Sequence, residues 1–127
     1  MSSSKHVNVI REKAMNFSVR MYHLNDYLIE KRKYSIADQV FRSGVSIGAN
    51  IAEAVRAESN SDFVHKYAIA MKEAEETLYW LELAHRVELL DDKLFESLYA
   101  DCEELIKLGT SITMAMLRKI KNEKNNS

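Results

Sequence analysis

The sequence predicts an all-α protein, an antiparallel up-down-up-down four-helix bundle, on three observations. The chain of 127 residues has no proline and only three glycines, Gly44, Gly48 and Gly109. It therefore lacks the turn-forming residues that a sandwich or wound sheet of this size needs. Four segments repeat apolar residues at helical spacing. The breaks between them are short, which makes consecutive helices antiparallel neighbours. One domain is expected over residues 1–127, because this length supplies one core and not two.

The first helix is expected over 6–30. Its seam is Val7, Ile10, Ala14, Phe17, Met21, Leu24 and Leu28, at alternating steps of 3 and 4. Lys31-Arg32-Lys33-Tyr34 ends it in a charged loop. The second, over 36–57, opens at Ser35 with Asp38 three residues on, a variant of the capping box. Its seam is Ile36, Val40, Gly44, Ile47, Ile51 and Ala54. Ser59-Asn60-Ser61 is the next break, and Asp62 favours the N-terminus of a third helix over 62–88. Phe63, Tyr67, Ala70, Ala74, Thr77, Leu81 and Ala84 form that seam. Asp91-Asp92 opens the fourth, over 92–121, with Leu94, Leu98, Cys102, Leu105, Ile112 and Met116 facing in. Asn122 to Ser127 reads as a frayed polar tail.

Composition narrows the function classes. Apolar residues at 46% and charged residues at 29% exclude a disordered chain and a membrane-spanning one. Eighteen basic and 19 acidic residues leave a net charge of −1, which argues against a uniformly basic nucleic-acid binder. Cys102 stands alone, so no intrachain disulfide and no cysteine-based zinc cluster is expected. The start Met-Ser-Ser-Ser-Lys-His has no apolar core of a leader, and no run of 18 apolar residues follows. A soluble, cytoplasmic protein without a membrane partner is the expectation.

The second helix is unusual for the surface of a monomer. Ala37, Phe41, Val45, Gly48, Ala52 and Val55 widen its apolar and small surface to about half the circumference at 100° per residue. A separate polar stripe runs Gln39, Ser43, Ser46, Asn50 and Glu53, at steps of 4, 3, 4 and 3. Each internal glycine costs about 1 kcal/mol relative to alanine. Such a cost is tolerated where another backbone comes close. Burial on most sides is therefore expected, with Gly44 and Ser43 at a close helix approach and with Asn50 and Glu53 buried. Arg42, Arg56 or a tyrosine hydroxyl are the expected donors to Glu53.

The run Gln39-Val-Phe-Arg-Ser-Gly-Val-Ser-Ile-Gly-Ala-Asn-Ile-Ala-Glu53 resembles the signature of the bacterial four-helix-bundle family of 23S rRNA gene intervening-sequence proteins. Ser61-Asp62-Phe63 and Lys72-Glu73-Ala74-Glu75-Glu76-Thr77-Leu78-Tyr79-Trp80-Leu81-Glu82-Leu83 resemble it too, so the likeness spans nearly the whole chain. The resemblance implies a ring-like homopentamer. It also implies a kinship with the accessory variability protein of diversity-generating retroelements, which binds a reverse transcriptase and nucleic acid. Gly48 stands where the family has proline, and Ala54 where it has glycine; both choices favour an unbroken helix. The retroelement protein is markedly basic, and this chain is not.

Charge is nevertheless uneven. Residues 1–35 hold seven basic and three acidic residues, a net +4, and residues 118–127 a net +3. The middle, 36–117, holds seven basic and 15 acidic residues, a net −8. In an antiparallel bundle Lys5, Arg11 and Lys13 share one end with Arg118, Lys119, Lys121 and Lys124. Repeated around a ring, that end is a candidate contact for a phosphate backbone. Lysines near a helix C-terminus also simply complement its dipole.

Enzymatic features are sparse, and no catalytic residue, cofactor or metal site is assigned. Glu82-Leu-Ala-His85 is the single Glu-x-x-His motif, where a di-metal bundle needs two. His6, His23, His65 and His85 do not pair at i, i+3 or i, i+4. His65 is read as a solvated residue and His85 as a cap near the end of the third helix. Cys102 lies in the seam, where a thiol behaves as a small hydrophobe. Gly44 and Gly48 lie inside a helix and do not cradle phosphate. Tyr79-Trp80 is read as a core or interface anchor. The leading expectation is a non-enzymatic, homo-oligomeric helical scaffold for nucleic acid or a nucleic-acid enzyme. The alternative is a small metal protein or enzyme using the Glu53 stripe or Glu82 and His85.

Overall fold

A computed structural model of the chain describes residues 2–126, all but the two terminal ones. Four helices follow in order: α1 (Ser2–Glu30), α2 (Tyr34–Ala54), α3 (Asn60–Arg86) and α4 (Asp92–Asn125). They stand at the corners of a square, in the cyclic order α1, α2, α3, α4, and α4 closes against α1. The backbones of the diagonal pairs stay apart, and their side chains share the core between them. Cross-helix contacts run antiparallel at every side. Lys13 meets Glu104 while Arg20 meets Asp101, and Ser43 meets Thr77 while Glu53 meets Lys66.

The apolar seams become the core. Ile10, Ala14, Phe17, Met21 and Leu28 of α1 are fully enclosed, as are Val40, Ile47, Ile51 and Ala54 of α2. Tyr67, Ala70, Ala74, Leu81 and Ala84 of α3 meet Leu98, Cys102 and Leu105 of α4 in the same interior. The alanines of α3 let its backbone come close, and the Cys102 thiol donates to the Ala74 carbonyl at 3.4 Å. Burial pushes that thiol up to about 12, with Glu75, Glu103 and Asp101 adding to the shift. Burial likewise raises the Tyr67 phenol to about 12 against the lowering pull of Arg11. The Tyr67 hydroxyl is enclosed without a hydrogen-bond partner.

Helix ends show why the boundaries shift from the expected ones. Ser59, in extended conformation, accepts from the Asp62 amide at 3.0 Å and starts α3 at Asn60. Asp91 accepts from the Leu94 amide at 2.8 Å and starts α4. The expected start of α2 at Ser35 is corrected: Lys33 is its N-cap, with no side-chain cap bond, and Tyr34 is already helical. Helix α2 also stops at Ala54 and not at 57. The Arg56 and Ala57 amides fall back on the Glu53 and Ala54 carbonyls, the tighter i→i−3 pattern that closes a helix. At the far terminus, α4 stays helical to Asn125, so the expected fraying from Asn122 is not seen; Ser127 lies outside the described residues. Asn60 reaches Glu123 at 3.5 Å and ties that last stretch to the start of α3. The turns after α1 and α3 each use a non-glycine residue at positive φ, Arg32 at 61° and Glu88 at 64°.

Candidate functional site

Helix α2 carries the signature, and its two flanks are built differently. Toward α1 it is thin. A Cβ placed on Gly44 would lie 2.5 Å from Cγ of Met21, so only glycine admits that side chain. At Gly48 the nearest atoms are Ser18 Oγ at 3.3 Å and the Ala14 methyl at 3.5 Å. The close approach expected at Gly44 is present, within one chain.

Toward α3 the flank is polar. The Ser43 hydroxyl donates to the Gln39 carbonyl at 3.0 Å and accepts from the Thr77 hydroxyl at 3.0 Å, both side chains buried. Asn50, half-buried, donates to the Ser46 carbonyl of its own helix at 2.8 Å. Burial of Glu53 is not found. Its side chain is 59% exposed and receives the Lys66 ammonium at 3.3 Å, not Arg42, Arg56 or a tyrosine. The stripe phase puts Glu53 at the outer edge of the flank, where the long stem of Lys66 reaches it. Gln39 and Arg42 are exposed, and Arg42 turns back to Asp38 at 3.6 Å. Partial burial raises the Glu73 carboxyl on the facing helix; Glu76 adds to this, and Lys72 and Arg42 oppose it.

Burial of α2 on most sides is also not reached within one chain. Phe41, Val45 and Gly48 are only partly covered, and Ala49, Ala52 and Val55 are exposed. Val45, Gly48, Ala49 and Ala52 line a cleft of about 610 Å³ together with Met15 and Ser18 of α1, and Asn8, Arg11 and Glu12 of α1 form its polar part. Next to it, Met15, Val19 and Tyr22 are 61%, 49% and 56% exposed and repeat at steps of 4 and 3. The seam of α1 hides this stripe from a sequence reading, because its members lie off the core phase. Their own spacing is the signal that could have found them. Tyr79 departs from a core anchor as well, being 60% exposed, while the partly buried Trp80 donates its indole N–H to Glu76 at 3.3 Å.

The two basic groups do meet at one end, where His6 of α1 and Lys119 of α4 line the same cleft. Lys5, Arg118, Lys119, Lys121 and Lys124 are exposed on these terminal stretches, whereas Arg11 is exposed at the cleft between α1 and α2. Lys13 lies farther in and is neutralised by Glu104 at 3.3 Å. The alternative ligand set is scattered into structural pairs. Glu82 faces Arg86 at 3.7 Å. His85 Nε2 lies 2.7 Å from Asp92 Oδ1, and its ring stacks on Phe95. Among the described residues no three His, Cys, Asp or Glu side chains gather as a metal site. No described helix is long and apolar enough to cross a membrane.

Comparison with known proteins agrees with this architecture. A solved structure from Bacteroides thetaiotaomicron, described as a protein with unknown function from the S23 ribosomal protein family, is 44% identical. The similarity covers 86% of this chain and 98% of that one, with a TM-score of 0.84. No curated protein matches the chain. The profile of the 23S rRNA-intervening sequence proteins matches residues 7–111, from the first seam residue of α1 into α4. The chain belongs to the 23S rRNA-intervening sequence protein family.

Proposed function

We propose that the chain is a non-enzymatic, homo-oligomeric helical scaffold, with five copies arranged in a ring. The observation that carries this reading is the open face of α1 and α2, where Met15, Val19, Tyr22, Ala49 and Ala52 expose apolar surface beside a cleft floored by Gly48. A contiguous apolar and small-residue face of this kind is more often an association surface than bare solvent boundary. Two-sided use of α2, through α3 inside the chain and through a second copy outside it, accounts for a helix with two glycines and little charge. Light scattering at micromolar concentration is expected to return about five times the chain mass of 14.7 kDa. Ala49→Arg should reduce it to the single chain while leaving the helical signal intact. A wild-type mass of one chain overturns the proposal.

The ring's partner, in this reading, is nucleic acid or an enzyme acting on it, such as a reverse transcriptase. The family's description names a ribosomal RNA sequence, and the exposed cations at the shared end of α1 and α4 supply a surface for phosphate. Contacts of that kind carry affinity without base information. Binding is therefore weak, sequence-independent and steeply salt-dependent. Filter binding at about 50 mM salt, where multi-phosphate contacts remain strong, should retain the intact protein with nucleic acid. Truncation after Leu117 should lose most of the retention. Retention that ignores the truncation, or none at all, rejects this part.

A further inference from the structure

The early stop of α2 has a chemical result at that end of the bundle. Helices α1, α3 and α4 continue past Ala54, while the chain turns away through Val55–Ser59. One corner of the square is therefore vacant for its last turns. The vacancy is a cleft of about 590 Å³, within the roughly 300–1,000 Å³ range of small-molecule sites. Its apolar floor comes from Val7 of α1, Ala54 at the end of α2, Val55 of the turn, Phe63 of α3, and Ile112 and Met116 of α4. Of the charged or ionisable groups that line it, His6 and Lys119 stand on the α1 and α4 rim and Glu58 on the turn between α2 and α3. Asn8, Ser59, Asn60 and Ser111 are the uncharged polar lining, and Asn60 holds Glu123 of α4 at 3.5 Å. Asp62 lies near Glu58, accepting from its amide at 3.3 Å. Lys119 enters no ion pair among the described residues.

We propose that this corner is a binding site for an anionic amphiphile, a single unbranched alkyl chain ending in a carboxylate. The chain lies on the apolar floor in place of the missing turns of α2. The carboxylate sits at the Lys119 and His6 rim, because Glu58 repels it from the opposite one. This proposal stands apart from the scaffold reading and survives its failure. A carboxylic head also separates it from the phosphate contacts proposed for the outer surface of the same end.

Titration calorimetry of the full chain with octanoate, decanoate and dodecanoate, each below its micelle concentration, tests the site. Affinity is expected to rise several-fold for each added pair of methylenes, since each buried methylene contributes separately. Ala115→Trp places a ring in the cleft from an exposed wall position and should weaken dodecanoate at least tenfold. Lys119→Glu should weaken dodecanoate about tenfold and leave dodecanol unchanged. Methyl chemical-shift changes on the wild-type protein should concentrate at Val7, Val55 and Ile112, and this map decides the matter if Ala115→Trp does not fold. No saturable binding of dodecanoate overturns the proposal. Equal binding of dodecyltrimethylammonium, or shift changes centred on the α1 and α2 face, does so too.

Discussion

Helix α2 meets α3 and α1 through two different kinds of surface. On the α3 flank Ser43 and Thr77 are buried and bonded to each other, and Glu53 finds Lys66. On the α1 flank Gly44 and Gly48 bring backbones together, and the surface beyond them stays open. Buried hydroxyls demand their partner at one register, so the polar flank fixes how α2 lies on α3. Small residues ask only for proximity, and the apolar area they leave uncovered is free to meet something outside the chain. Internal order and external readiness thus sit on one helix, a few ångströms apart.

The largest expected effect is a control that spares both flanks. Cys102 lies in the α3–α4 seam, and burial holds its thiol pKa near 12, against an ordinary value of 9. Between pH 9 and 12 the unfolded chain gives up this proton while the folded chain keeps it, so stability falls as pH rises. The loss approaches about 4 kcal/mol near pH 12, at about 1.4 kcal/mol per unit. Urea titrations across that range should show it, and Cys102→Ala should make the slope shallower, leaving the part due to Tyr67, whose phenol burial also raises to about 12. An unchanged slope would mean that the thiol ionises freely in the fold.

Gly44→Leu comes next, as the direct way to break the α1 flank. Met21 fills the space a side chain would need, so overpacking should cost about 3 kcal/mol. A melting temperature equal to wild type would show that α1 simply steps aside. The α3 flank gives a smaller response. Thr77→Val removes a hydroxyl whose one hydrogen is shared between Ser43 Oγ at 3.0 Å and the Glu73 carbonyl at 2.8 Å, while Ser43 keeps its own bond to the Gln39 carbonyl, so about 1 kcal/mol should be lost. Tyr67→Phe should be neutral or stabilise by about 1 kcal/mol, because the enclosed hydroxyl has no partner to lose. A clear destabilisation there would reveal a hydrogen-bond partner for this hydroxyl inside the fold. Glu53→Gln is smallest: its pair with Lys66 lies at the surface, so the change should stay within about 0.5 kcal/mol in chemical denaturation.

Much of this architecture is legible in the sequence. Periodicity identifies which residues face inward, and Ile10 to Leu28, Val40 to Ala54 and Tyr67 to Ala84 occupy the core as their spacing requires. The start of α4 at the Asp91 cap is legible too, whereas Ser59 reads only as part of a break and caps a helix that begins two residues earlier than expected. What escapes is whatever depends on a second helix's reach. Glu53 follows Ser43 at steps of 3, 4 and 3, which suggests one buried stripe, but ten residues of α-helix leave the two about 80° apart, and this carries Glu53 to the edge. The stop at Ala54 is equally hidden, since Val55, Arg56 and Ala57 are not helix breakers. It is set by competition with the Ser59 cap that starts α3. The exposed stripe of Met15, Val19 and Tyr22 is a second periodicity beneath a stronger one.

The cyclic order of the helices has a consequence in time. Three of the four contacting sides join helices that follow one another in sequence, and only α1 against α4 spans the chain. Folding dominated by such local contacts is fast, and it can proceed in the order of synthesis. The α1–α2 hairpin is complete once Ala54 has been made, whereas the side closed by Lys13–Glu104 and Arg20–Asp101 must wait for α4. Met15, Val19, Ala49 and Ala52 are therefore presented by a nascent chain well before its own square closes. In the assembly proposed above, copies translated side by side from one message would meet through that face while still tethered to their ribosomes.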